Sequence, residues 1–317
     1  MSPLRLLTVV LFSLLSPLAT LGLENLPSYA FLCRENGIKS VVTQIRDKRT
    51  VIPVAADFGG ILLHPDLKSV FLGKQGSPSR IIRINLASQS QTEIASFPGR
   101  LQGYDVSSNG EQFVVCLSPF THPSLSQIIL VQANGKQRLI TESEEFFLSG
   151  PVFSPDDQRI LCFRGHFKKP GGSVFSGSDI SRVDLDSGNV VPIAGGVTDL
   201  DKPVNNDKFR ASSPCWLPDG RIGFIRMLGP GSNVYSAADA DGKNVVDLVP
   251  ERERMIVDAC SDGKRVFFIE FSQPGVGGRL MVHDCSVKEL GVCEGSSCLS
   301  SSAIAIEENL DSYDLVF

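Results

Sequence analysis

The stretch Gly150-Pro151-Val152-Phe153-Ser154-Pro155-Asp156-Asp157-Gln158-Arg159-Ile160-Leu161-Cys162-Phe163 decides the fold. It predicts a short apolar strand, a Ser-Pro-Asp-Asp turn and a second apolar strand. Proline presets φ for such a turn, and an aspartate side chain accepts a hydrogen bond from the backbone two residues further on. The stretch is therefore a strand–turn–strand unit whose reversal has a local cause.

The same unit recurs along the chain. Its other copies have these turn segments: His64-Pro65-Asp66-Leu67-Lys68, Ser107-Ser108-Asn109-Gly110, Leu217-Pro218-Asp219-Gly220 and Cys260-Ser261-Asp262-Gly263. With the Asp or Asn as the register mark, the copies lie about 43, 47, 63 and 43 residues apart, and a period of about forty residues with several short strands is typical of a β-propeller.

Each repeat divides into four strands, a to d, with the recurring turn between a and b. The pattern predicts an all-β, six-bladed propeller of four-stranded blades, closed by pairing between the N- and C-terminal strands. The first unit begins at its b strand, Tyr29 to Arg34, and we expect the apolar stretch Ser302 to Ile306 to supply its missing strand. The alternative is a larger propeller, in which Tyr313 to Phe317 is a strand without neighbours.

The chain begins with the pattern of a secretory signal peptide. Arg5 precedes an apolar core from Leu6 to Leu15, and small residues follow up to Gly22. The apolar run is too short for a comfortable membrane span, so an uncleaved anchor is the weaker alternative. The predicted organisation is a signal peptide over 1–22 and a propeller over 23–317. The predicted location is periplasmic or secreted.

Charge limits the class of partner. The formal net charge is −5, whereas a nucleic-acid-binding protein needs a basic face to replace counterions. We therefore expect no nucleic acid, a protein or peptide partner, contact with a membrane only through such a partner, and a monomer.

Cysteine use suggests two environments. Cys33, Cys116 and Cys162 recur in the b strands of three units, and Cys215 and Cys260 come just before the turn in two others. We expect these five to be small buried side chains, because cysteine is among the most buried residue types. Three more cysteines lie in a Gly/Ser-rich tail: Cys285, Cys293 and Cys298. They predict one local disulfide, whose pairing stays open. The alternative is a zinc site that includes His283.

Three phrases show a family resemblance: Phe153-Ser154-Pro155-Asp156-Asp157, Trp216-Leu217-Pro218-Asp219-Gly220, and Asn233-Val234-Tyr235 through Asp241-Gly242. They resemble the WD40-like (PD40) repeats of TolB-type propellers, which are related to the propeller domains of the dipeptidyl-peptidase family. The resemblance covers nearly the whole mature chain and implies a docking scaffold, by fold analogy alone. The hydrolase domain of that peptidase family is not indicated, since no G-x-S-x-G nucleophile elbow occurs.

Propeller strands run alternately up and down. The b–c and d–a connections therefore share one face, here called the loop face, and the a–b and c–d turns share the other, the turn face. The longest connections are Gly165 to Ser178 and Gly195 to Arg210, both on the loop face, and binding residues concentrate on loops held by a rigid scaffold. The predicted binding residues are His122, His166, Lys168, Lys169, Asp199, Asp201, Lys202, Arg210 and Arg254.

Inner strands supply a second group of candidates. We expect four side chains to face the central channel, most of them packing residues: Tyr104, Asp105, Trp216 and Asp258. No phosphate loop, dinucleotide motif or CxxC pair is present, so no catalytic residue, metal or cofactor is assigned. The first hypothesis is an exported, non-catalytic propeller that binds a protein or peptide.

The alternative is an extracytoplasmic enzyme, a metal-assisted lyase or a lactone or sugar hydrolase. Its ligands or acid/base groups would be His122 and His166, with Asp199 or Asp201 as a third partner. Each histidine taken singly is expected to be an exposed loop residue.

Overall fold

The computed structural model describes residues 28–35, 38–167, 175–197, 209–229, 232–251, 254–261, 265–271, 278–284, 303–310 and 315–316. These ranges hold 24 β-strands in six four-stranded sheets. Across the described ranges, no helix is long and apolar enough to cross a membrane. The predicted signal peptide and the three tail cysteines, Cys285, Cys293 and Cys298, lie outside them.

Each sheet is one blade, and its strands pair antiparallel. Blade 1 consists of β24 (Leu315–Val316), β1 (Tyr29–Glu35), β2 (Ile38–Ile45) and β3 (Lys48–Val54). Blade 2 consists of β4 (Phe58–Leu63), β5 (Ser69–Lys74), β6 (Ser79–Asn85) and β7 (Gln91–Phe97). Blade 3 consists of β8 (Gly99–Val106), β9 (Gln112–Pro119), β10 (Ser126–Gln132) and β11 (Gln137–Ser143).

The remaining blades follow in chain order. Blade 4 consists of β12 (Phe146–Phe153), β13 (Arg159–Phe167), β14 (Phe175–Asp184) and β15 (Val190–Val197). Blade 5 consists of β16 (Arg210–Trp216), β17 (Ile222–Gly229), β18 (Ser232–Ala238) and β19 (Val246–Val249). Blade 6 consists of β20 (Met255–Ser261), β21 (Arg265–Phe271), β22 (Gly278–Asp284) and β23 (Ala303–Leu310).

The two ends of the chain close the ring in blade 1, as expected, but with a different strand. β24 pairs with β1 through Ala30 opposite Val316 and Phe31 opposite Leu315. The stretch predicted for this role belongs to β23, which pairs with β22 as the outer strand of blade 6. The assignment was wrong because blade 6 has only three strands up to Asp284, so the next strand in the chain fills its open edge. The alternative of a C-terminal strand without neighbours is also wrong.

The recurring turns are built as their residue types predict. The side chains of Asp66, Asp156 and Asp219 accept hydrogen bonds from the backbone N–H two residues on, at 2.8, 3.2 and 3.1 Å. Asn109 does the same at 2.9 Å. Local side-chain chemistry therefore explains these acidic residues on the turn face.

Every inner strand from blade 2 to blade 6 contains a β-bulge at the same place in its repeat. At or directly beside the bulge, four of these five strands have a residue with positive φ: Gly60, Gly103, Gly150 and Ser213. A bulge bends its strand and leaves one residue outside the regular ladder. The wall of the channel is consequently ringed by irregular backbone.

Apolar side chains fill the spaces between blades. One such cluster joins blades 3 and 4 and contains Cys116 and Cys162, both 0% exposed. The prediction that these two cysteines are small core residues is confirmed. Cys215 and Cys260 are only partly buried, and the side chain of Cys33 lies outside the described part.

Candidate binding site in the central channel

The inner strands of blades 2 to 6 line a cavity of about 720 Å³ on the propeller axis. Its wall includes the turn residues His64, Pro65 and Ser108, so the cavity reaches the turn face rather than stopping inside the ring. This volume lies within the range of pockets that enclose small ligands or side chains of a partner.

Tyr104 lines the cavity and joins blade 3 to blade 2. Its buried hydroxyl lies 3.0 Å from the carbonyl oxygen of Gly60 and 3.1 Å from that of Phe71, and it donates its proton to this pair. The ring fills the space beside Gly60, where an added Cβ would come within 3.1 Å of it. Tyr104 is therefore mainly a packing residue, as expected for most of the channel group.

Asp105 follows Tyr104 and bridges to the other neighbouring blade. Its Oδ2 atom accepts a hydrogen bond from the backbone N–H of Phe153, at 2.7 Å. Burial is the largest influence and raises the pKa of this carboxyl to about 6, with the nearby charge of Asp157 acting in the same direction. Backbone hydrogen bonds from Phe153 and Val106 oppose the shift. Because burial disfavours the ionised carboxylate in this cavity wall, Asp105 is a candidate for a functional-site residue.

Asp258 lines the same cavity from blade 6, which lies opposite blade 3 in the ring. Its Oδ1 atom accepts a hydrogen bond from the N–H of Ala259, at 3.0 Å. Cys215 lines the wall between them, with its sulfur 2.9 Å from the hydroxyl oxygen of Tyr235. Burial raises the pKa of the Cys215 thiol to about 11, so the sulfur stays protonated and is a poor nucleophile.

Trp216, predicted to face the channel, lies elsewhere. It packs against the apolar cluster between blades 4 and 5, which includes Phe209 and Phe224, and it is not part of the cavity wall. Successive side chains of a strand point to opposite faces. Because Cys215 packs against the apolar cluster between blades 5 and 6, the next side chain turns toward blade 4.

The loop face holds the described members of the predicted binding group. His122 lies 3.3 Å from a carboxylate oxygen of Glu144, and both side chains are about half exposed (49% and 57%). Arg210 opens β16 and Arg254 directly precedes β20, both partly buried. Five predicted residues lie outside the described ranges: Lys168, Lys169, Asp199, Asp201 and Lys202.

His166 lies in strand β13 and not in an exposed loop. Its Nε2 atom lies 2.6 Å from Asp179, which is 1% exposed and also binds Arg164 at 2.7 Å. The hydroxyl of Ser181 donates a further hydrogen bond to this carboxylate at 2.6 Å. The expectation of an exposed histidine was wrong, because β13 continues through Phe167 and pairs with β14.

Sequence reasoning missed Arg164 and Asp179. A usable signal was present, since an arginine directly after the apolar run of β13 needs a buried partner of opposite charge. Phe146 covers the network on the loop face, with its ring centre 5.1 Å from the guanidinium carbon of Arg164. His122 and His166 thus each have a carboxylate of their own. Across the described residues, no three His, Cys, Asp or Glu side chains are grouped to hold a metal ion.

Solved structures show what this arrangement of blades resembles. TolB from Acinetobacter baumannii matches with a TM-score of 0.58 at 13% identity, over 82% of this chain and 61% of that one. A putative TolB from Agrobacterium tumefaciens matches with a TM-score of 0.60 at 16% identity, over 84% of this chain and 88% of that one. The fold is that of a TolB-type β-propeller.

This TolB-type propeller also resembles an enzyme. An oligogalacturonate lyase in complex with manganese matches with a TM-score of 0.56 at 13% identity, over 78% of this chain and 70% of that one. At such identities the likeness extends to the fold alone. No family model matches the sequence, and comparison with curated proteins gives no match either.

Proposed function

We propose that the protein is an exported, non-catalytic propeller that acts as a scaffold and binds a protein or peptide at the central channel. The observation that carries the proposal is the cavity of about 720 Å³, open to the turn face and lined by apolar groups with a few polar ones. That composition is typical of a binding pocket. The resemblance to TolB-type propellers supports a docking role by analogy.

The architecture suits recognition of a chain segment. Each bulge in the inner strands interrupts the regular hydrogen-bond ladder at the channel wall. A segment that enters from the turn face meets backbone polar groups as well as apolar side chains. The surrounding strands are fixed by inter-blade bonds such as those of Tyr104 and Asp105, so little ordering is required on binding.

Export is part of the proposal. The pattern of residues 1–22 predicts a signal peptide, which leaves 23–317 as the propeller in the periplasm or outside the cell. We propose that the scaffold is a monomer and meets a membrane only through its partner.

A second candidate function is a metal-assisted lyase or hydrolase, favoured by the likeness to the lyase that holds manganese. Its predicted groups are His122 and His166, with Asp199 or Asp201. The pairing of each histidine with a separate carboxylate, Glu144 or Asp179, argues for structural roles instead.

Site-specific photo-crosslinking in the native compartment tests the scaffold. Benzoylphenylalanine is placed at Lys68 on the turn face, at Phe120 on the loop face (43% exposed) and at Leu139 on an outer strand (49% exposed). We expect one adduct, identified by mass spectrometry, at Lys68 and none at Leu139. An adduct only at Phe120 would move the partner to the loop face. No adduct at any position, together with stoichiometric metal in the purified protein, would favour the enzyme.

A further inference from the structure

We propose that the protein has a second binding site, separate from the channel, which takes the carboxylate of a small molecule with a short apolar body. The site is a cavity of about 300 Å³ in blade 4, formed by strands β13 to β15 and the turn between β14 and β15. Its volume is at the lower end of the range for small-ligand pockets. Its lining residues are Arg159, Arg182, Asp184, Ser187, Asn189 and Val191.

Strand register places the charged side chains of the cavity on one face of the blade. Arg159 lies directly opposite Asp184, and Arg182 lies directly opposite both Leu161 in β13 and Val191 in β15. Directly opposite residues share a face, as do residues two apart in one strand. The two arginines are therefore diagonal neighbours on that face, with Cα atoms about 7–8 Å apart.

Arg182 supplies the positive charge that a ligand can neutralise. Within the described part of the chain, its guanidinium forms no hydrogen bond and no ion pair. Arg159, by contrast, binds Asp156 at 3.1 Å and lies opposite Asp184. An arginine keeps its positive charge at physiological pH, and its planar donors match the two oxygens of a carboxylate. The partly buried Arg182 is thus a cation in a cavity wall whose donors are available to a ligand.

Asp184 limits the charge of that ligand. Its Oδ1 atom accepts hydrogen bonds from the N–H of Ser187 at 2.8 Å and from the N–H of Asp186 at 3.1 Å. These bonds, led by that from Ser187, lower the pKa of Asp184, so the side chain is ionised at neutral pH. The lining therefore carries two positive charges and one negative charge. Because like charges repel, this balance favours a singly charged carboxylate over a doubly charged phosphate.

The remaining lining residues suit the body of such a molecule. Val191 is 42% exposed, so its side chain offers an apolar contact at the open side of the cavity. The side-chain amide of Asn189 forms no hydrogen bond across the described residues and offers two further donors. The hydroxyl of Ser187 already donates to Asp184, at 2.9 Å.

Ligand-observed fluorine NMR on the purified protein at pH 7.5 tests the site. The probes are small fluorinated monocarboxylic acids, aliphatic and aromatic, each paired with its neutral primary amide. We expect at least one acid to bind and its amide to bind far more weakly. The Kd of the best acid is then measured on wild type and on the variants Arg182→Gln and Val191→Trp.

We expect Arg182→Gln to weaken binding of the acid at least roughly tenfold, because it removes a charged hydrogen-bond donor. Val191→Trp should also reduce binding, because the larger ring fills the cavity from an exposed position. The matched control is Arg138→Gln, which removes the same charge from an exposed residue of β11 outside the cavity. That variant should bind the acid like wild type. Thermal unfolding of every variant verifies that the fold is retained.

Three results would overturn the proposal. These are the absence of binding by any acid, equal binding to wild type and Arg182→Gln, and unchanged binding to Val191→Trp. Inorganic phosphate is added as a competitor, and we expect it to displace the acid only at much higher concentration. Displacement at equal concentration would show a general anion site and refute the carboxylate assignment. Because the channel takes no part in this site, its failure would leave the scaffold function untouched.

Discussion

Replacing Asp105 by asparagine should remove a pH-dependent loss of stability. Asp105 is partly buried in the channel wall, and its Oδ2 atom accepts a 2.7 Å hydrogen bond from Phe153. Asparagine keeps the size of the side chain and an oxygen acceptor for that bond. It removes the negative charge that burial and Asp157 disfavour. The substitution therefore mimics the protonated carboxyl, in which one of the two oxygens carries hydrogen, so the pH dependence of the difference reports the charge.

The magnitude follows from the pKa. The carboxyl has a pKa raised from 3.8 to about 6 in the folded protein, and each unit corresponds to about 1.36 kcal/mol, which gives about 3 kcal/mol. Because the folded pKa is the higher one, the folded state binds the proton more tightly. The stabilising contribution is thus complete below about pH 4 and is lost as the pH rises through about 6.

Urea unfolding at pH 4, 5, 6 and 7.5 checks this reasoning. D105N should match wild type near pH 4 and exceed it by up to about 3 kcal/mol at pH 7.5. Asp156→Asn is the opposite control, since hydrogen bonds led by that from Ser154 lower the pKa of Asp156. Its variant should be less stable at neutral pH and recover in acid. A constant difference between D105N and wild type across the pH range would refute the assignment.

Two further predictions concern the blades. Gly242→Ala should destabilise the protein far more than Gly135→Ala. Both glycines have a positive φ, which costs an alanine about 1–2 kcal/mol, but only at Gly242 would the added Cβ clash with a carbonyl oxygen, that of Ile193. The free energies of unfolding measured in urea should differ by a further 1–3 kcal/mol or so, and equal free energies would exclude the clash. Asp179→Asn should lower the free energy of unfolding by about 3–5 kcal/mol, because it leaves the mostly buried Arg164 without its counter-charge. Urea unfolding measures the loss. A loss no larger than about 1 kcal/mol would mean that water already screens the ion pair.

Much of the fold could be predicted from short-range chemistry. The Asp66, Asp156 and Asp219 turns form through bonds between residues two apart, so their sequence signature is complete in each copy. Repetition of that signature then indicates the propeller, since one strand–turn–strand unit cannot bury its apolar faces alone. The burial of Cys116 and Cys162 follows from their place in the repeat.

The site was less predictable, because it depends on contacts between blades. Asp105 and Phe153 are 48 residues apart in the chain, and Arg164 and Asp179 meet only through the register of two strands. Nothing local marks Trp216 as an inter-blade residue or Cys215 as part of the wall. A shift of the strand register by one residue would exchange the directions in which the side chains of Cys215 and Trp216 point.

The sequence alone thus determined the repeat, the turn chemistry and the ring that they imply, since each depends on residues that are neighbours in the chain. Only the tertiary structure decided which strand closes blade 1, which turn residues the channel cavity reaches and which carboxylates line it. Strand pairing at the ring closure joins residues such as Ala30 and Val316. The partner of a free strand edge depends on which edges remain open once all other blades have formed, and that is a property of the assembled ring.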